Sequence, residues 1–389
     1  MDILEKIKPT KEEEQITLGR INQLISKIKV KDAKPVLGGS GAKGTWLKHT
    51  YDADIFVKFN YNKYKDKDIS SILGNYLKNK FKITKLHGSR DYFQIKQKDF
   101  TFEIVPILDI KKAEQAKNIT DVSPLHSSWV KKHINEKLAD EIRIAKYFCK
   151  INNLYGAESY IKGFSGYVLE ILIIRYKSFN NLIKTAKRWK PGTIIDIEKH
   201  NSAKRLNESK ISPLIVIDPV QPDRNAAAAL SLEKFDEFIR LANKKITFKE
   251  KKVDPKKYNL ILEATQLKGK KDIAGAKLLK ALQTIIKHLK DFNVKDYDWE
   301  WNDKATFYFK LQKTTLPVVV EHIGPPISAK ENAEKFIKKY GKLKVYSKNK
   351  RLYVKLPVKN YKLKGFVKDL LREEFIKEKV KKIEIKSLK

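Results

Sequence analysis

Leu37-Gly38-Gly39-Ser40-Gly41-Ala42-Lys43-Gly44-Thr45-Trp46-Leu47-Lys48-His49-Thr50-Tyr51-Asp52-Ala53-Asp54-Ile55-Phe56-Val57-Lys58-Phe59 is the stretch on which the reading of this chain turns. A turn of small residues carrying Ser40 and Lys43 comes shortly before Asp52 and Asp54, which open the apolar run Ile55 to Phe59. Side chains alternate faces along a strand, so Asp52 and Asp54 point the same way, roughly 6 to 7 Å apart. Two such carboxylates repel each other unless a divalent cation lies between them, and carboxylates together with substrate phosphates are how Mg²⁺ is usually held. Gly38 and Gly39 let the backbone N–H groups of the turn approach a phosphate. Taken separately, the halves also read as solvated aspartates and an ordinary turn. Their order and spacing together point to phosphate and metal chemistry.

The chain of 389 residues carries 83 Lys plus Arg against 46 Asp plus Glu, a net charge of +37. A lysine-rich surface with no specific purpose accounts for part of this excess. The remainder predicts a polyanionic partner, and 17 Tyr, 18 Phe and 5 Trp supply stacking surfaces that favour nucleic acid over a membrane. Cys149 is the only cysteine, which excludes disulfides and cysteine-based zinc sites. The first residues form no apolar leader, and no uncharged run reaches the roughly 18 residues that cross a bilayer. The expectation is a cytoplasmic protein without a membrane partner.

Thr10 and Glu13 form a capping box ahead of apolar residues at helical spacing, Ile16 to Ile28. A second helix is expected over 70–80, then strands over 92–96 and 100–108. Within the last, Glu103 stands among Phe102, Ile104 and Val105, where a lone carboxylate is costly to bury. It is either a third carboxylate beside the Asp-x-Asp strand or a surface residue of an edge strand. Residues 135–186 read as helices separated by a loop over 154–166. Lys150, Tyr155, Tyr160 and Lys162 there are the donor types a triphosphate needs, while Ser165 also suits a plain helix cap. Leu214 to Val220 reads as a buried strand and Asp223 onward as a helix. Arg224 near that helix start opposes the dipole, which fits either an anionic or base ligand or an exposed Arg at little cost. Phe248 to Pro255 is a charged linker. Beyond it, strand 260–266, helix 273–292, strands 297–301 and 306–312, helix 328–340, strand 344–356 and helix 366–379 include a β-α-β-β-α-β order like a ferredoxin-like sandwich, a sheet that often stacks bases on aromatics. Residues 331–389 hold 20 basic against 7 acidic side chains, net +13, as a surface following a phosphate backbone requires.

With these motifs in place the chain resembles the archaeal class I CCA-adding enzymes, tRNA nucleotidyltransferases of the polymerase-β-like superfamily. The resemblance rests on Gly39 to Leu47 followed by Asp52-Ala53-Asp54, on Glu103-Ile104-Val105-Pro106, on Ser123 to His126 with Tyr155-Gly156-Ala157-Glu158 and Gly163 to Tyr167, and on Asp218-Pro219-Val220 with Arg224-Asn225. It implies an α+β multidomain chain. A nucleotidyltransferase head spans 1–138, a helical central domain 139–248, and a ferredoxin- or RRM-like RNA-binding part 249–389. It further implies that Asp52, Asp54 and Glu103 hold two Mg²⁺ ions. Gly39, Ser40, Lys43, Ser123, His126, Lys150 and Tyr160 are expected to contact the nucleotide, and Arg224 to read the cytosine or adenine edge. The basic surface of 331–389 would bind the tRNA acceptor stem and 3′ end, CTP and ATP would be the donors, and a homodimer is left open. Lys43, Ser123 and Glu103 depart from the family's usual Arg, Thr and Asp, and Ser159 stands where relatives can carry Tyr. An oligoadenylate synthase or poly(A) polymerase relative, or an inactive RNA-binding one, shares most of these residues.

Overall fold

A computed structural model describes residues 3–250, 252–316, 319–357 and 362–389. Lys251 of the expected linker and residues 358–361 of the basic segment lie outside the described residues. The chain divides into two compact units, Met1–Lys251 and Lys252–Lys389.

The first unit begins with a short helix, Ile3–Ile7, and then the helix Lys11–Lys27, closed at its start by the expected Thr10 and Glu13 capping box. Strands β1 (Ala33–Leu37), β2 (Asp52–Asn60), β3 (Ile83–Leu86), β4 (Tyr92–Gln97) and β5 (Phe100–Asp109) form one sheet in the order β1-β2-β5-β4-β3. The β2–β5 pair is parallel and the others are antiparallel. Ile55, Val57, Phe59, Phe102 and Ile104 bury one face against Leu24 of the helix Lys11–Lys27 and Leu73 and Leu77 of the helix Ile69–Lys78. Each such side chain contributes about 1.5–3 kcal/mol on burial. Alternation therefore turns Asp52, Asp54 and Glu103 to the opposite face. The small-residue turn is a short helix, Gly39–Lys43, ended by Gly44 in the left-handed region at φ 63°.

The helices Glu136–Ile151, Gly166–Tyr176, Phe179–Ala186 and Leu232–Ala242 share a second core around Phe148, Leu172 and Phe238. Ser165 caps the helix Gly166–Tyr176 by accepting from Val168 N–H, so the Gly163 to Gly166 segment is a helix entry. Strands β6 (Thr193–Ile195) and β7 (Leu214–Val216) pair in parallel. The helix expected from Asp223 does not form. Residues 219–230 are turns, held by Asn225, whose side chain bonds Val216 N–H, Ala227 N–H and Lys210 carbonyl, and the helix starts only at Leu232.

In the second unit β8 (Leu260–Thr265), β9 (Val294–Trp301) and β10 (Ala305–Leu311) are followed by an inserted sheet of β11 (Val319–Pro326), β12 (Val345–Lys348) and β13 (Arg351–Pro357), and β14 (Lys382–Leu388) closes the chain. The main sheet runs β14-β8-β10-β9, every pair antiparallel, with the helices Lys271–His288 and Leu363–Leu370 packed in its core. This is the ferredoxin-like order, but its second helix and fourth strand are 363–370 and 382–388. The helix Lys330–Tyr340 and the 344–356 segment expected to fill those places belong to the insertion, where Phe336 packs over Gly324 and His322. The expected strand over 344–356 is a hairpin, and the expected helix over 366–379 is two short helices, Leu363–Leu370 and Glu374–Lys377. The strand alternation places Glu263, Asp298, Glu300 and Glu384 on the main-sheet face away from the helices, with Tyr308 donating to Glu300. Lys304 and Lys386 pair with Glu263 there, and Lys382 with Glu384. Tyr258 and Tyr308 lie together with Ile261 on the same face, their ring centroids 5.4 Å apart.

One buried carboxylate fixes the route from β5 to the site. Asp121 is 0% exposed and accepts from Leu108, Lys117 and Asn118 N–H and from Arg90, which also donates to the Pro106 carbonyl. Asp121→Ala leaves these donors unpaired, and we expect it to lower the unfolding free energy by about 3 kcal/mol in urea titration. An unchanged midpoint would show that the loop is held by other contacts.

Candidate functional site

The parallel register pairs Asp54 directly with Glu103, and Asp52 lies two residues earlier on the same face of β2. Gln94 of β4 stands opposite Glu103 and donates to it at 2.9 Å. Glu103 is thus in an interior strand, between β2 and β4, which removes the edge-strand reading. The short helix Gly39–Lys43 lies over Asp54: Gly38 N–H donates to the Asp54 carbonyl at 2.8 Å. A Cβ on Gly39 would come within 1.9 Å of Asp54 Oδ2, and its φ of +54° is itself a glycine conformation. Burial, then the neighbouring Glu103 and Asp52 charges, push the Asp54 carboxyl up to about 7, with Lys43 opposing the shift. Among the described residues no three His, Cys, Asp or Glu side chains stand ready as a metal cluster. The donor set nonetheless fits a divalent cation, since three hard carboxylates share one face and their mutual repulsion is what such an ion relieves.

Beside the carboxylates, one buried acid gathers the cations. Glu170 is 0% exposed in the helix Gly166–Tyr176. Lys43 Nζ lies 2.6 Å from its Oε2 and Lys146 Nζ 2.8 Å from its Oε1, and Thr45 Oγ1 donates to the latter at 2.9 Å. Burial favours the neutral acid, but Lys146 and Lys43 outweigh it and hold the carboxyl at about 2. Arg143 donates to the Gly44 and Trp46 carbonyls and Lys146 to that of Thr45, so the helix Glu136–Ile151 caps the exit of the signature helix. Lys146, not Lys150, enters this cluster; Lys150 is exposed on the helix's last turn. Tyr155 also reaches this cluster. The Tyr155 hydroxyl lies 3.0 Å from where a Gly166 Cβ would stand, next to Lys146, and it feels the charges of Glu170 and Asp52. Tyr160 sits half-buried in the turn closing 158–162.

A second cluster forms around Asp218, also fully buried. His126 Nε2 lies 3.0 Å from its Oδ2, Arg224 donates to the same oxygen at 2.5 Å, and Tyr167 donates to Oδ1 at 3.1 Å. Burial would raise this carboxyl, yet His126, Arg224 and the Val220 N–H hold it down to about 2. His126 stacks on Tyr167 with ring centroids 4.3 Å apart. Ser123 and His126 lie on the helix Ser123–His133, which packs against Gly39–Lys43, so Gly39, Ser40 and Ser123 belong to the same neighbourhood. Arg224 is therefore fixed by a carboxylate rather than set at a helix N-terminus.

A glycine-bearing helix over two strand carboxylates, with a third on the adjacent parallel strand, defines a nucleotidyltransferase. Residues 19–126 match the family described as nucleotidyltransferase domain, 140–253 the tRNA nucleotidyltransferase second domain, and 269–382 the CCA-adding enzyme C-terminal domain. The CCA-adding enzyme of Nanoarchaeum equitans is 40% identical over 320 residues, 79% of each chain. That of Methanosarcina barkeri is 34% identical over 376 residues, 87% of this chain and 80% of its own, and that of Methanocaldococcus jannaschii 32% identical over 381 residues, 88% and 84%. The chain belongs to the CCA-adding enzyme family.

The raised Asp54 carboxyl gives a pH test. Its folded value lies above its unfolded one, so its burial costs stability as pH rises from about 4 to about 7, and that cost is complete above 7. In metal-free buffer Asp54→Asn should therefore melt higher than the parent at pH 8, with the gain shrinking toward pH 5. An equal gain at both values would mean that Asp54 titrates normally.

Proposed function

We propose that this chain adds C, C and A to the 3′ end of immature tRNA without a nucleic-acid template, using CTP and ATP and releasing pyrophosphate. The observation that carries the reading is the Asp54–Glu103 register, in a chain that belongs along most of its length to the CCA-adding enzymes. The tRNA 3′-oxygen forms a bond to the α-phosphorus, the bond to the β-phosphate oxygen breaks, and the hydroxyl proton leaves to solvent.

Asp52, Asp54 and Glu103 are the residues that would hold Mg²⁺, and the chemistry the ion supplies when bound is neutralisation of the triphosphate and a lowered hydroxyl pKa. Lys43 lies close enough to Asp54 for its charge to be felt there, and Tyr155 in turn feels the charge of Asp52. Arg224, a donor-only group held by Asp218, suits the acceptor atoms of a base edge. His126 and Tyr167 brace the same carboxylate, so the base-reading group is preorganised and little is left to order on binding. Ser40 and Ser123 supply hydroxyls beside the signature helix. The basic 331–389 segment supports a grip on the acceptor stem through the backbone of A-form RNA.

The test is to incubate the protein with tRNA lacking its CCA end and each nucleotide singly and together. We expect two C additions with CTP and a final A when ATP is present. ATP-only tailing without C incorporation would instead assign the site to a poly(A)-type enzyme. Asp52→Ala, Asp54→Ala and Glu103→Ala should each lose at least about 100-fold in turnover while still binding tRNA. Full turnover by Glu103→Ala would remove Glu103 from the metal-holding set.

A further inference from the structure

Glu170 lies in the run Val168-Leu169-Glu170-Ile171-Leu172-Ile173, whose other members pack in the core of the helical part. An isolated carboxylate in such a position is costly, and it is tolerated here because two ammonium groups and a hydroxyl meet it. The two lysines are not equivalent. Lys146 is buried and directs its three protons within the protein, to Thr45 Oγ1 at 2.9 Å, the Thr45 carbonyl at 3.3 Å and Glu170 Oε1 at 2.8 Å. Among the described residues Lys43 has one side-chain hydrogen bond, to Glu170 Oε2; it keeps 10% of its side chain exposed and rests its ammonium 6.0 Å from the centre of the Tyr167 ring. It also lies close enough to Asp54 to oppose that residue's shift. A flexible lysine is thus pinned by its bond to Glu170, within range of both the Tyr167 ring and the Asp54 charge.

We infer that Glu170 is a positioning residue for nucleotide binding, a buried acid that aims the Lys43 ammonium at the incoming triphosphate and is itself locked in place by Lys146 and Thr45. This rests on the proposed nucleotidyl transfer at the Asp54–Glu103 site. A lysine is a point charge on a four-carbon stem and lacks the planar fork that would set its own direction. Glu170 supplies that direction from behind. Its helix also carries Tyr167, so the same element braces Lys43 on one side and Asp218 on the other.

The experiment measures steady-state kinetics of C and A addition by the full chain and by Glu170→Gln, Glu170→Asp, Lys43→Met and the double variant Glu170→Gln with Lys43→Met. Glu170→Gln should raise KM for both CTP and ATP on the order of tenfold, as expected on losing a charge-assisted hydrogen bond, with kcat reduced less. Glu170→Asp, which keeps the charge, should recover part of the loss. In the Lys43→Met background Glu170→Gln should change KM by less than about threefold, since its target is gone. A purely structural role predicts a lower kcat from a smaller folded fraction with unchanged KM, and melting curves report that fraction directly. An unchanged KM in Glu170→Gln, or an equal effect in both backgrounds, would overturn the inference. Absence of any nucleotide addition by the parent chain would instead overturn the functional reading on which it rests.

Discussion

Like charge held at one strand spacing governs this molecule. The parallel pairing of β2 with β5 brings Asp54 beside Glu103, and the alternation along β2 adds Asp52 to the same face. The sheet cannot relax this repulsion by changing register, because a one-residue slip would turn Ile55, Val57, Phe102 and Ile104 out of the core. The hydrophobic pattern on one face therefore enforces the electrostatic strain on the other. Gln94 takes up part of it at Glu103, while Asp54 carries the rest as a carboxyl held near neutrality. A cation with oxygen preference is the species that discharges such a site.

The helical part of the first unit answers that negative face with fixed positive charge. Arg143 and Lys146 take the Gly44 and Thr45 carbonyls just past the Gly39–Lys43 helix, and Glu170 keeps Lys43 and Lys146 together despite their repulsion. The helix Gly166–Tyr176 is the common element. Gly166 leaves room for Tyr155 and Lys146, Tyr167 reaches Asp218, and Glu170 reaches Lys43. The Lys43 and Asp218 clusters are thus set by one rigid segment in a dry core, where electrostatic preorganisation is strongest.

The acidic face was legible because strand periodicity is a local rule: Asp-x-Asp before an apolar run, and one Glu inside another, suffice to place three carboxylates once the strands are known. Glu170 obeys the same rule, a lone acid among Val168, Leu169, Ile171 and Leu172, and that was the signal by which it could have been found. Lys146 and Lys150 sit one helical turn apart, so spacing alone did not decide between them; burial against Thr45 did. Arg224 looked like a helix-start residue because Ala226 to Ala229 favour helix, and tertiary bonds from Asn225 overrode that propensity. The second unit was misassigned in detail for a non-local reason. A β-α-β-β insertion offers a helix and a strand like the pair it displaces, and only pairing of β14 with β8 across more than a hundred residues separates the two.

The most direct measurement is diffraction at the manganese edge from crystals of the protein grown with Mn²⁺ and CTP. The account predicts anomalous density bonded to oxygens of Asp54 and Glu103, with Glu103 released from Gln94 and the triphosphate against Lys43. Ions held by the triphosphate alone, with Glu103 still bonded to Gln94, would contradict it.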